Sequence, residues 1–497
     1  MGLFFTLLYI LNAYLAPDTL FGALVEYRVQ LIIAILALIA SIPSLQQSTL
    51  ARMPQTYALM GMWFAVFMSF VFNGLTRSAP EAMLDFLPST FAFFLVVLNC
   101  KTKRHLQMVI LVLLSASLFA IYMGYTAILA GNFNSPYLYT GHDATTDPVA
   151  ATATTLARLR GLSIIHDPND FAQLLVSLIP CLFFFWASKK FAQNFIFVLV
   201  PAGILLFGMF LTHSRGGMLA FLAAVIIAAR RKIGTIPSAI TAGVLFAIAS
   251  VVGWSGGRDI SVEQGADRME AWATGLQLLK SHPIFGVGFL RFTEYYIITA
   301  HNTIVVCAAE LGMLGLFFWV MFLIPSIRDA AVMGRTEKSK EELAEEEEGK
   351  TPFERALSAR AAQAAPMQFE STISAPNPIS PAFSSDARGH VAEMANPYFM
   401  NEEVKELSEE ELRRLARLMV ISFTGFLVAG WFISRAYVMT LFIYGGMVQV
   451  LYRMALDQGL VPERMKLPRV MRFSAVTAII LIAMVYVMLR LQNLMRH

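Results

Sequence analysis

His301 and Asn302 stand directly before an apolar run that continues to about residue 325. A histidine at the boundary between membrane and water titrates near neutral pH and can take a proton from a hydroxyl group. Glu310 lies about two turns deeper in the same predicted helix, and an ionisable group at that depth is a functional candidate by default. The pattern predicts proton-transfer chemistry. A capping pair and a Glu310 bonded to a neighbouring helix would explain the same residues.

A second polar segment, Thr212-His213-Ser214-Arg215-Gly216-Gly217, falls between two apolar runs. Its two glycines let the backbone turn sharply, so that amides can face an anion beside the Arg215 guanidinium. A tight helical hairpin with a snorkelling arginine is the competing interpretation.

The segment 255–301 combines a charged helix with aromatic side chains. Residues 268–280 have helical spacing that places Arg268, Trp272 and Leu276 on one face, and Pro283, Gly286 and Gly288 then end the helix. Trp272 and Tyr295 offer flat apolar faces on which a sugar could stack. Aromatic residues are equally common as anchors at a membrane interface.

Arg160-Gly161 is followed by His166-Asp167-Pro168-Asn169-Asp170, directly before another apolar run. Three of these side chains could in principle ligate a metal, but Asn169 or Asp170 is also a natural helix cap. Because no further ligand cluster accompanies them, we predict no metal and no cofactor. The sequence also has no P-loop, Rossmann glycine pattern, nucleophile elbow or H-E-x-x-H motif.

The elements that must position these residues are membrane helices. Hydrophobic residues make up 57% of the chain and charged residues 14%, against roughly 25% charged in soluble domains. Apolar runs of about membrane-spanning length recur, so we predict an all-α polytopic transmembrane bundle with about 12–13 spans. The predicted spans are 3–20, 26–43, 57–75, 82–99, 105–130, 170–187, 193–212, 217–229, 236–254, 302–325, 416–433, 437–453 and 472–489.

Lysine and arginine in the short loops predict the orientation. Basic clusters such as Lys189-Lys190 and Arg230-Arg231-Lys232 fall on one side if the N-terminus is cytoplasmic. This arrangement predicts N-terminal spans (1–130), a core (131–325) with outer loops 131–169 and 255–301, a largely disordered cytoplasmic loop (326–415) and C-terminal spans (416–497). The cytoplasmic loop is interpreted as a tether or as a regulatory docking segment.

Arginine is concentrated on the predicted outer side, where the sequence has a single lysine, Lys280. The planar guanidinium binds phosphate oxygens bidentately, which an ammonium group cannot do. We therefore predict an anionic ligand on the outer face. The arginines are Arg28, Arg77, Arg158, Arg160, Arg215, Arg258, Arg268, Arg291 and Arg435.

The central third of the chain, about 155–325, resembles the O-antigen ligase and polymerase superfamily of bacterial membrane glycosyltransferases. His301-Asn302, nine residues, Gly312, two residues and Gly315 fit that family's H-[NSQ]-x9-G-x-x-[GTY] motif. The Ser214–Gly217 hairpin, the run from Arg268 to Gly288 and the helix start after Arg160-Gly161 are also typical, in the family's order.

The resemblance implies a GT-C-like ligase architecture with a helical periplasmic loop, in a multi-pass protein of the bacterial inner membrane. It implies a metal-independent, inverting transfer of a glycan from undecaprenyl pyrophosphate to an acceptor hydroxyl at the periplasmic face. The catalytic residues would be His301 as base, with Arg215 and Arg268 stabilising the pyrophosphate. The candidates for substrate binding are Arg160, Arg291, Trp272, Tyr295, Asn302 and Glu310.

The acceptor is left open between a lipid and a glycan. A ligase in lipopolysaccharide synthesis is favoured, with an exopolysaccharide or O-antigen repeat-unit polymerase and a protein O-oligosaccharyltransferase as alternatives. A transporter of lipid-linked sugars is a different class that would need no base, and a scaffold would give no reason for the outer arginines. No basic cluster interleaved with aromatic residues points to nucleic acid.

Overall fold

A computed structural model describes residues 1–496, except 25, 47, 142–155, 253, 255–261, 336–406 and 462–463. The helices are α1 (Gly2–Leu15), α2 (Pro17–Leu20), α3 (Val29–Leu45), α4 (Pro54–Phe72), α5 (Ala79–Asn99), α6 (Lys103–Leu129), α7 (Pro168–Leu182), α8 (Phe191–Asn194), α9 (Val200–Leu211), α10 (Arg215–Ile233), α11 (Thr235–Val251), α12 (Val262–Ser281), α13 (Thr303–Met333), α14 (Glu409–Gly430), α15 (Met439–Asp457) and α16 (Leu467–Arg496).

Within the described part of the chain, nine helical segments are long and apolar enough to cross a membrane. Two more apolar helices, α3 and α11, have 17 residues each. The helices α10 and α14 lie at two further predicted spans but carry charged residues at one end. The predicted all-α polytopic membrane bundle is confirmed, and the total of 12–13 spans stays a prediction.

The centre of the bundle is formed by α7, α13 and α15, which are the most buried spans. The helix α13 packs against α4, α12 and α16, and α15 packs against α5. Buried polar side chains join helices distant in sequence: the Tyr14 and Thr440 hydroxyls lie 2.6 Å apart, and the Asn99 amide donates to Ser41 Oγ at 2.7 Å. Such hydrogen bonds help hold membrane helices together.

The structure differs from the prediction in two of the three long predicted segments, 131–169 and 326–415, each of which it describes in part. In the outer segment 131–169, β1 (Leu138–Gly141) and β2 (Leu156–Leu159) form an antiparallel pair that was not predicted, with Leu138 opposite Leu159. The predicted cytoplasmic loop is shorter at both ends, because α13 continues to Met333 and α14 begins at Glu409. The rest of that predicted disordered loop lies outside the described residues.

Candidate active site

The site is built around the first turn of α13. Asn302 is fully buried, and its Oδ1 accepts hydrogen bonds from the amides of Ile304 and Val305 at 3.0 and 3.1 Å. Its Nδ2 donates to the carbonyl of Trp431 at 3.2 Å. Asn302 is therefore a helix cap. The capping interpretation is what the structure shows, and the predicted substrate-binding role of Asn302 stays a prediction.

His301 precedes this cap in a left-handed conformation, with φ of 45°. Such a conformation costs a non-glycine residue about 1–3 kcal/mol and is concentrated at functional sites. The backbone is held there by Trp272, whose indole Nε1 donates to the Ala300 carbonyl at 2.7 Å. Trp272 is only 6% exposed and packs edge-on against Trp431. The indole thus lies buried beside the backbone that leads into His301, and its predicted stacking against a sugar stays a prediction.

The charges around His301 favour its neutral form. Partial burial, and then the nearby Arg268 charge, lower the pKa of His301 to about 4, with Asp167 acting in the opposite direction. Surrounding protein and the charge of Arg215 lower the pKa of Arg268, although its side chain keeps access to solvent. An arginine remains protonated in spite of such a shift. The imidazole is therefore unprotonated near neutral pH and can accept a proton.

His301 lines a cavity of about 520 Å³ at this end of the bundle. Residues from α5, from the start of α7, from the loop before α13 and from the segment between α14 and α15 surround it. We call this last segment, 431–438, the connector. The polar and charged lining residues among those described are Asp85, Ser89, His166, Asp167, Asn169, Asp170, Thr293, Thr299, His301, Glu310, Ser434, Arg435 and Tyr437.

The connector places an arginine in the cavity wall. Arg435 forms an ion pair with the buried Asp170 at 2.6 Å, and its Nη2 lies 3.4 Å from the His166 ring. The Arg435 amide donates to Thr303 Oγ1, which itself donates to the carbonyl of Ile433 at 2.7 Å. The first turns of α7 and α13 are thereby joined to the connector.

Glu310 lies in the wall of the same cavity, next to a break in α13. Gly312 has φ of 66°, and a Cβ there would lie 2.2 Å from the Ile284 carbonyl oxygen, so this position requires glycine. The amides of Val287 and Gly288 donate to the carbonyls of Ala309 and Glu310, each at 3.0 Å. The loop after α12 thus satisfies carbonyl groups that the helix leaves open, as interrupted membrane helices require.

The Glu310 side chain is 3% exposed. Its Oε1 accepts a hydrogen bond from the Phe292 amide at 3.4 Å. Its Oε2 has no hydrogen-bond partner among the described residues. The Phe292 amide stands at the start of a short 3-10 helix, Phe292–Glu294, and the functional role of Glu310 stays a prediction.

The segments around Arg160 and Arg215 meet through Asn169. Its Oδ1 accepts from Ser214 Oγ at 2.8 Å and from Arg158 Nη2 at 3.1 Å. Ser214 caps α10 by accepting from the Gly217 amide, and a Cβ on Gly217 would lie 2.8 Å from the Ala172 side chain. The cap of α7 is Asp167, whose side chain accepts from the Asn169 amide, and not Asn169 or Asp170 as predicted.

Residues 200–320 match the family model described as O-antigen ligase. This central part of the chain is therefore similar to O-antigen ligases. The match confirms the predicted resemblance to the O-antigen ligase and polymerase superfamily, and it places the chain among glycosyltransferase-like membrane proteins. A search of curated proteins finds no match.

The O-antigen ligase segment, residues 200–320, contains Arg215, Arg268 and His301. The charge of Arg215 lowers the pKa of Arg268, and the charge of Arg268 lowers the pKa of His301. Arg215 and Arg268 are not among the described residues that line the cavity. His301 therefore lines the cavity and lies within range of the Arg268 charge, whereas Arg268 and Arg215 line no described part of that cavity.

Arg160, Arg291 and Tyr295 are the remaining residues predicted to bind the ligand. Arg160 donates to the Pro136 carbonyl at 3.0 Å, and Arg291 pairs with Glu294 at 2.5 Å. Tyr295 is 44% exposed. None of these three is among the described residues lining the cavity. Their roles in binding stay predictions.

Sequence reasoning did not select Asp170 and Arg435 as a functional pair. Arg435 was one of nine outer arginines, and Asp170 was interpreted as a helix-start residue. The two positions are 265 residues apart, and both lie outside the O-antigen ligase segment. A signal was present, because the connector has an arginine directly before a span on the predicted outer side.

Proposed function

We propose that this protein transfers a glycan from undecaprenyl pyrophosphate to an acceptor hydroxyl at the periplasmic face of the bacterial inner membrane. The family match supports ligase- or polymerase-type activity. The observation that carries the finer proposal is the position of His301. A neutral imidazole lines a cavity of about 520 Å³ and is close enough to Arg268 for that charge to act on it.

His301 is proposed as the general base. The acceptor oxygen loses its proton to the imidazole while it forms a bond to the anomeric carbon of the donor sugar. The bond from that carbon to the pyrophosphate breaks, and the leaving group departs with the electron pair. Attack from the face opposite the leaving group inverts the anomeric configuration. General-base catalysis of this kind contributes about 10²–10⁴-fold.

Arg268 and Arg215 are proposed to stabilise the pyrophosphate. A pyrophosphate is already a good leaving group, so it needs charge stabilisation more than a proton. Guanidinium groups held by the protein supply this stabilisation without reorganising during the reaction. The two cations repel each other in the protein alone, and a dianion between them would relieve that repulsion.

Substitution of His301 by alanine tests the function. We expect transfer to fall by 10²–10⁴-fold while a polyprenyl-diphosphate-linked sugar still binds. The measurement uses purified protein in lipid nanodiscs, with product formation and donor binding followed separately. His282→Ala is the matched control, because His282 lies in the loop after α12 and is not among the described residues lining the cavity.

Retention of full transfer by His301→Ala would contradict the proposal. Movement of the lipid-linked sugar across the bilayer without transfer would favour the transporter class instead. Within the transferases, a deletion strain separates the alternatives by its surface glycans. Loss of lipid-attached polymer indicates a ligase, accumulation of single repeat units a polymerase, and loss of glycosylated protein an O-oligosaccharyltransferase.

A further inference from the structure

We infer that the cavity beside His301 is the acceptor subsite and that it takes an uncharged sugar, while the donor diphosphate binds on the arginine side of His301. This inference rests on the proposed function and assigns its two substrates to two places. It also limits the acceptor to a glycan hydroxyl, because the side chains of the cavity wall disfavour a phosphorylated sugar.

The charge of the cavity wall is the first argument. Four carboxyl side chains, Asp85, Asp167, Asp170 and Glu310, line its described part, together with a single arginine, Arg435. The ion pair with Asp170 already engages that arginine. A diphosphate or a sugar phosphate placed here would face the carboxylates of Asp85 and Asp167, with no further arginine or lysine among the described lining residues to offset them. Sugar hydroxyls, by contrast, donate hydrogen bonds that carboxylates accept well.

The position of the two arginines is the second argument. Arg268 stands one helical turn before Trp272, on the same face of α12. Trp272 donates to the Ala300 carbonyl, directly before His301. Arg268 therefore approaches His301 from the α12 side, and neither Arg268 nor Arg215 is among the described residues lining the cavity. A diphosphate held by these arginines would lie outside the cavity.

Glu310 supplies the third argument. The side chain is 3% exposed and forms part of the cavity wall, and its Oε2 has no hydrogen-bond partner among the described residues. A buried carboxyl oxygen without a partner is unfavourable. A sugar hydroxyl in the cavity is a partner of the right kind, and His301 lines the same cavity.

The aromatic residues of the wall fit the same ligand. Phe289 and Tyr437 both line the cavity, and their ring centroids are 5.1 Å apart. Apolar ring faces pack against the C–H groups of a sugar while polar groups bind its hydroxyls. Carboxyl groups beside aromatic rings are thus suited to a neutral carbohydrate.

The test compares an uncharged hexose glycoside with its 6-phosphate as acceptor probes, and a polyprenyl-diphosphate-linked sugar as the donor probe. The variants are Asp85→Asn and Glu310→Gln, with Arg268→Gln for the donor side. Asp85 is exposed, so its amide variant should fold even if Glu310→Gln does not. Glu81→Gln, one turn earlier on α5 and not among the described lining residues, is the matched control.

We expect the wild-type protein to prefer the uncharged glycoside at least about tenfold, since like charges at a binding site commonly cost this much specificity. Asp85→Asn and Glu310→Gln should narrow that preference and raise the acceptor KM, with unchanged thermal stabilisation by the donor probe. Arg268→Gln should weaken the donor stabilisation. Glu81→Gln should match the wild type.

Equal or better use of the 6-phosphate by the wild-type protein would overturn the subsite. So would weaker donor stabilisation in Asp85→Asn and Glu310→Gln with an unchanged acceptor KM. In both outcomes transfer by the wild-type protein, and its loss in His301→Ala, would leave the proposed function standing. If the wild-type protein binds the donor but transfers to neither acceptor, the proposed function fails and the subsite fails with it.

Discussion

The O-antigen ligase segment (200–320) and the connector (431–438) meet at His301 but hold their charged side chains differently. In the segment, His301 has a strained backbone, and Arg268 lies near Arg215, a second cation. In the connector, Arg435 is fixed by an ion pair with Asp170 and by Thr303. The segment thus combines a strained backbone with two neighbouring cations, whereas the connector holds its arginine in an ion pair within the protein.

The two regions therefore have different proposed roles: the segment carries the reaction, and the connector holds the helices around it. The groups proposed to carry the reaction, His301, Arg215 and Arg268, lie in the segment that the family match covers. The side chains that hold the first turns of α7 and α13 together lie partly outside it. We therefore expect variants of the connector to act mainly on stability, and variants of the segment to act mainly on turnover.

The largest effect is expected for Arg435→Gln. Asp170 is 2% exposed in its side chain, and without Arg435 it becomes a buried carboxyl with no compensating charge. We expect a loss of about 3–5 kcal/mol in the free energy of unfolding. The double variant Arg435→Gln/Asp170→Asn should regain most of it. Thermal unfolding in detergent is the measurement, and Arg77→Gln, an exposed outer arginine, is the control. Unchanged stability in the single variant would remove the supporting role of the connector.

The next effect is on turnover. Arg268→Ala and Arg215→Ala should each lose about 2–4 kcal/mol of transition-state stabilisation, by comparison with removal of an oxyanion donor. Single-turnover rates with saturating donor measure this loss, with Lys280→Ala at the end of α12 as the control. Transfer at the wild-type rate in either variant would contradict its role. A loss of folding equal to that of Arg435→Gln would erase the distinction between segment and connector.

Gly312→Ala tests the break in α13 that carries Glu310. An alanine there would have an unfavourable φ and a Cβ that collides with the Ile284 carbonyl, so we expect about 1–3 kcal/mol of destabilisation. Gly243→Ala on α11 is the matched control, because a Cβ there meets nothing within 4 Å. Thermal unfolding of both variants measures the difference. Equal melting temperatures would mean that the break tolerates a side chain.

Hydropathy predicted the helices well because an apolar span in lipid must satisfy its backbone hydrogen bonds within itself, as a helix does. The motif spacing likewise located His301 and the break-forming Gly312. The sequence could not separate a capping residue from a ligand-binding one. Asn302 and Trp272 have the types expected at a sugar site, but their partners, Trp431 and Ala300, become visible only when the helices pack.

The pair Asp170–Arg435 was out of reach for the same reason. Local patterns inform about neighbours in sequence, whereas these side chains meet only because α7 and the connector reach the same end of the bundle. The small β-hairpin was missed because its strands have four residues each and are widely separated in the chain. The partners in long-range contacts of this kind cannot be deduced from local patterns alone.

The smallest expected effect is a shift in the pKa of His301, and it tests the O-antigen ligase segment alone. Burial and the Arg268 charge hold the pKa of His301 near 4, so the imidazole should be neutral above about pH 5. Removing the cation in Arg268→Gln makes the protonated form less unfavourable, and the pKa should therefore rise. Diethyl pyrocarbonate reacts with neutral imidazole, so mass spectrometry of the His301 peptide across pH measures the midpoint. Lys280→Gln, which removes a cation at the far end of α12, should leave it unchanged. A midpoint in Arg268→Gln equal to or below that of the wild type would mean that Arg268 does not act on His301, and the arginine side of the site would lose its link to the base.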